Sequence, residues 1–120
     1  MKTITAAAFA LAVSAPALAD KWTIEECVVL HDATAIIAAE VGDMRRDGYG
    51  MAASHSSATA VFAEIFPDAN VDIAVRYPLA VTRDVYDVPL SLVQTHGGIW
   101  EVARKMAAEA YTTCLDEVYK

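Results

Sequence analysis

The chain has 120 residues, with 9 basic and 16 acidic side chains, a net charge of −7, and 56% apolar residues. That length fits one domain and leaves no room for a second. The acidic balance repels phosphate backbones and anionic lipid, and the only adjacent basic pairs, Arg45-Arg46 and Arg104-Lys105, are too small a patch to reverse it, which argues against nucleic acid as a partner.

Residues 1 to 19, MKTITAAAFALAVSAPALA, carry the pattern of a cleavable secretory signal. Lys2 supplies the positive start, Ile4 to Val13 a short apolar run, Pro16 a break, and Ala17-Leu18-Ala19 a small-x-small cleavage site. Cleavage there leaves a single domain over residues 20 to 120, which is 101 residues with a net charge of −8. The alternative, a retained membrane anchor, is disfavoured because the run is well short of the roughly 20 residues that span a bilayer. A lipid anchor is disfavoured as well, since Asp20 rather than cysteine follows the cut. The expected location is therefore periplasmic or secreted, with no stable membrane anchor once the signal is removed.

Cys27 and Cys114 are the only cysteines and stand near opposite ends of the expected mature chain. In an oxidising compartment the expectation is a bond between them, with a free thiol or a metal-ligand pair as the alternatives; no CxxC spacing favours those.

The clearest helix start is Thr23-Ile24-Glu25-Glu26, where Thr23 and Glu26 can form a capping box and Trp22 can staple onto Cys27. The helix is predicted from about Ile24 to Asp47. Three- and four-residue steps place Cys27, Leu30, His31, Thr34, Ile37, Ala38, Val41 and Met44 on its inner face. Ile36 falls on the charged outer side, where one exposed apolar residue is ordinary. Arg45 and Arg46 suit the negative end of the helix dipole, and Gly48 is the expected left-handed stop.

A second helix is predicted from Met51 to about Phe66, with a middle weakened by Ser54, Ser56, Ser57 and Thr59, so that it frays or starts late. Pro67, Pro78 and Pro89 punctuate the next stretch, which reads as two helical pieces: one capped by Asn70 and running through Tyr77, the other opened by Pro78 and ending near Asp87. The alternation of Val71, Ile73 and Val75 also admits a strand, but no second strand-like segment offers it a partner. The last helix is predicted to begin after the Gly97-Gly98 break, or a few residues before it, and to run to about Tyr119. Because the two cysteines lie on the inner faces of the first and last helices, their bond would set these helices side by side and antiparallel. The predicted fold class is all-α: a small disulfide-tied bundle of about four helices.

Candidate chemistry is sparse. His31 follows Cys27 by one helical turn, which matters only if that cysteine is a free thiol. Met51 and His55 share a helical face, and with His96 arriving from elsewhere they are the candidate ligands for a metal such as cuprous copper. Ser54 and His55 are sequence neighbours, but adjacent helical residues diverge and do not make a dyad. No paired carboxylates or nucleophile elbow appear, so no catalytic residue is assigned and no cofactor is expected. Tyr77, Tyr86, Trp100 and Tyr111 are the candidates for a protein-binding surface, since aromatic rings concentrate at interface hot spots.

Cys27 on a first helix ending in Arg45-Arg46-Asp47-Gly48, then Tyr86-Asp87-Val88-Pro89, then Cys114 a few residues from the end, together resemble a group of small exported helical proteins of proteobacteria and their phages, a group without an assigned activity. The resemblance covers about residues 27 to 120 and departs from the group's pattern where Phe66 to Val75 stands as an insertion. It implies a disulfide-tied helical fold in the periplasm and carries over no catalytic residue. The opening Trp22-Thr23-Ile24-Glu25-Glu26-Cys27 is also similar to that of the small acid-stress chaperones of the periplasm, which are helical, disulfide-bonded and of similar size.

The functional expectation is a non-enzymatic protein that acts by binding another protein as an inhibitor, an immunity-type protein or an envelope-stress factor. The alternative is an acid-activated holdase, whose carboxylates lose charge below about pH 4 and loosen the fold. A small metal-binding protein is the third reading.

Overall fold

The computed structural model describes residues 22 to 120, so the expected signal over residues 1 to 19 lies outside the described residues. Helix α1, Ile24–Arg46, starts where the capping box predicts: the Glu26 amide donates to Thr23 Oγ1 at 3.1 Å and the Thr23 amide donates to Glu26 Oε1 at 2.9 Å. Trp22 is buried beside this start. The helix ends one residue before the predicted boundary, and Gly48 adopts φ +93° as the chain turns away.

Helix α2, Met51–Ile65, forms over its full predicted length and does not start late. Two of its hydroxyls find partners on neighbouring helices and so do not compete for its own backbone: Ser57 Oγ donates to Glu40 on α1 at 3.1 Å, and Ser54 Oγ bonds the Tyr86 hydroxyl at 2.8 Å.

Helix α3, Val71–Asp87, corrects the two-piece reading of the middle segment. It is capped by Asn70, whose side chain accepts from the Asp72 amide at 2.8 Å, and it runs unbroken through Pro78. Proline removes the bond that the Ala74 carbonyl would otherwise accept, at a cost of about 3 kcal/mol in an isolated helix. Here Ile73 and Tyr77 before it, and Val81, Thr82 and Val85 after it, continue one buried face, so packing outweighs the local penalty. A short 3₁₀ turn, Leu90–Val93, follows Pro89 and plugs Val93 into the core; the sequence reading did not anticipate it.

Helix α4, His96–Val118, begins just before the glycine pair, the earlier of the two expected starts, with Thr95 Oγ1 accepting from the Gly98 amide at 3.0 Å. Gly98 is small for a packing reason: a Cβ there would run into the backbone carbonyl of Leu92 in the 3₁₀ turn. The helix includes the residues where a break was expected because that contact and the Thr95 cap hold its first turn.

Helices α1 and α4 are antiparallel neighbours, fixed at both ends. Near the start of α1, Cys27 is bonded to Cys114 near the end of α4, with Cα atoms 5.6 Å apart. Near the other end, a Cβ on Gly42 of α1 would stand 2.7 Å from Ile99 of α4, so only glycine allows this approach. Ala103, Ala107 and Ala110 continue the close seam. Helices α2 and α3 pack on each other and both pack against α1, leaving its outer side open. Over the described residues, the chain adopts the predicted class, a disulfide-tied bundle of four helices in which the first and last run antiparallel.

Candidate functional site

The four aromatic residues proposed for a binding surface do not form one surface. Tyr77 is 1% exposed and belongs to the core, which corrects its assignment. Its ring lies 5.7 Å from that of Phe62, and its hydroxyl meets Thr34 Oγ1 at 2.5 Å. Since Thr34 spends its own proton on the Leu30 carbonyl at 2.7 Å, Tyr77 is the donor to Thr34. Burial pushes the Tyr77 phenol up to about 12. The sequence pooled these rings by residue type, but position on the helix decides which face each occupies.

Tyr86 is half-buried and structural. Its hydroxyl donates to the Tyr49 carbonyl at 2.5 Å, so the Ser54 hydroxyl must donate to it. The Arg45 guanidinium sits 5.5 Å from the centre of the ring. Trp100 is partly buried at the start of α4, and its indole N–H donates to His96 Nε2 at 2.9 Å. Tyr111 borders an open groove.

The candidate metal ligands are occupied separately. His55 Nε2 donates to the Val75 carbonyl at 3.1 Å, Met51 is exposed at the start of α2, and His96 accepts from Trp100 on α4. Among the described residues, no three His, Cys, Asp or Glu side chains are grouped to hold a metal ion. Both cysteines are consumed by the disulfide, so His31 has no thiolate to activate. Ser54 faces Tyr86 while its neighbour His55 faces Val75, and the two do not meet as nucleophile and base.

The site that the geometry does build lies beside the disulfide, between α1 and α4. Val28, His31, Asp32 and Tyr111 line an open groove of about 320 Å³. The imidazole of His31 stands edge-on to Tyr111, with ring centroids 5.9 Å apart, and its Nδ1 meets Asp32 Oδ1 at 2.9 Å. Val28 follows Cys27 directly and Tyr111 precedes Cys114 by three residues, so the crosslink fixes the spacing of the groove walls.

From this groove an apolar face extends along α1: Ile24 is 42% exposed, Val28 46%, Val29 40% and Ile36 49%. Glu25, Asp32 and Glu40 are exposed on the same side of the helix. The sequence reading treated Ile36 as an isolated exposure. The signal it missed is the spacing of Ile24, Val28 and Ile36 in multiples of four, which aligns them on a side of α1 opposite the buried one. No family model, curated protein or solved structure matches the chain. Residues 22 to 120 form a disulfide-tied four-helix bundle that presents an apolar, acid-flanked helix face with a groove at one end.

Proposed function

We propose that this protein works outside the cytoplasm, in the periplasm or after secretion, as a non-enzymatic binding protein of the inhibitor, immunity or envelope-stress kind. The observation that carries this reading is the apolar face of α1. Four large apolar side chains, Ile24, Val28, Val29 and Ile36, stay at least 40% exposed on this one helix, and such a patch marks an interaction site. Export is supported by the signal pattern of residues 1 to 19 and by a disulfide of the kind that persists in oxidising compartments. No helix among the described residues is long and apolar enough to cross a membrane.

The test is affinity capture from the periplasmic and secreted fractions of the producing cells, using the oxidised protein beside its Val28→Lys/Ile36→Lys variant. A partner retained by the first and lost by the second is the expected result. Failure of the oxidised, folded protein to retain any partner over a range of pH and salt contradicts the proposal.

A further inference from the structure

We propose that the groove beside the disulfide receives a lysine or arginine side chain from a basic amphipathic helix of the partner, laid along the Ile24–Ile36 face of α1. This inference rests on the binding function proposed above and names the chemistry of its partner.

Three observations converge on it. The groove has apolar walls, Val28 and the Tyr111 ring, and an acidic edge, Asp32. A long basic side chain is built in the complementary way, with an apolar stem to lie on the walls and a cationic head for the carboxylate and the ring face. The Asp32 side chain is 68% exposed and meets His31 through Oδ1, which leaves its other oxygen to accept from an incoming cation.

The charge around the groove has one sign on α1. Glu25, Asp32 and Glu40 flank the apolar residues, and α1 carries no lysine or arginine before Arg45. The nearest basic side chains in sequence on α4, Arg104 and Lys105, stand about 9 to 10 Å along the helix from Tyr111, and Arg104 is paired with Glu101 at 3.0 Å.

The shape is that of a helix-on-helix contact. Ile24, Val28, Asp32 and Ile36 lie along a ridge at four-residue steps spanning about 18 Å, which matches three to four turns of a partner helix. A second copy of this chain is a poor occupant, because its α1 would bring the same acidic side chains against these. An anionic membrane meets the same repulsion.

The test uses the oxidised full chain and a fluorescein-labelled amphipathic peptide of leucine and lysine, about 14 residues long, in about 0.15 M salt. Its counterpart with glutamate in place of lysine is the control. Fluorescence anisotropy is expected to show binding of the lysine peptide only. Asp32→Asn and Tyr111→Ala are each expected to weaken it about tenfold, and Val28→Lys to abolish it, while Asp68→Asn in the α2–α3 connection changes it less than about twofold. All four positions are at least partly exposed, and circular dichroism checks that each variant keeps its helix content.

Equal weakening by Asp68→Asn overturns the inference in favour of general charge attraction. Equal binding of the glutamate peptide overturns it too, as does preferential binding to anionic vesicles or dimerisation that Val28→Lys removes. A captured partner that depends on Val28 and Ile36 but is not displaced by the lysine peptide leaves the binding function standing and removes this assignment of its partner.

Discussion

Arg45 shows how one side chain can take a role that its position in sequence does not suggest. It sits in the last turn of α1, where a cation complements the helix dipole, and its neighbour Arg46 does stay local, 3.2 Å from Asp43. Arg45 instead reaches across to the end of α3, where Nη1 donates to the carbonyls of both Val85 and Val88 at 2.7 Å. Those carbonyls have no helical amide to accept from, so the guanidinium acts as a C-cap supplied by another helix. Arg45→Ala is expected to lower stability by about 2 to 3 kcal/mol, read as a fall in the urea midpoint, and Arg45→Lys to recover only part of it. Asp84 gives a pH signature. Burial pushes its carboxyl from 3.8 up to about 6, and the charges of Glu109 and Asp87 push the same way. A carboxyl raised on folding favours the folded state when protonated; that contribution is full below about pH 3.8 and is lost as pH rises through about 6. The thermal midpoint is therefore expected to rise by several degrees between about pH 7 and about pH 5, and Asp84→Asn to flatten this rise. At this residue mild acid tightens the fold, the opposite of what an acid-triggered opening requires in that pH range.

The elements divide according to how local their causes are. The start of α1 was legible because its capping box lies within four consecutive residues, and the end of α2 was legible because Pro67 stops it, whereas its start was not, because the partners of Ser54 and Ser57 lie on other helices. Pro78 misled because its cost is local while its compensation is not: the buried face running from Ile73 to Val85 exists only against α1 and α2. The 3₁₀ turn escaped for a similar reason. It is four residues long, and its anchors, Val93 in the core and Gly98 against Leu92, are tertiary contacts. The glycine pair at the start of α4 separates the two effects in one experiment. A Cβ on Gly97 meets nothing within 4 Å, whereas one on Gly98 strikes the 3₁₀ turn. Gly97→Ala is thus expected to stabilise by up to about 1 kcal/mol and Gly98→Ala to destabilise by about 2 kcal/mol or more, measured by chemical denaturation.

At the scale of the molecule, one covalent bond links architecture to the proposed site. Cys27 and Cys114 are 87 residues apart in sequence, and the chain-entropy argument assigns such a loop about 4 to 5 kcal/mol, a large share of the roughly 5 to 15 kcal/mol that holds a small domain together. Reduction, or Cys27→Ser with Cys114→Ser, is expected to lower the unfolding free energy by about that amount and to weaken binding at the groove whose walls flank the bond. The cysteine pairing was readable from the sequence because there were only two. The groove was not, because Tyr111 and Val28 are 83 residues apart and meet only when α4 returns antiparallel to α1. The central claim is that this molecule works by presenting the outer face of α1 to a protein partner, and site-specific photo-crosslinking in the producing cells tests it most directly. Benzoylphenylalanine is placed at Val28 on that face, 46% exposed, or at Val75 on α3, 42% exposed as a matched control. The account predicts a discrete crosslinked protein from position 28 and none from position 75. An equal or stronger product from position 75, or none from position 28 in folded and oxidised protein, would contradict it.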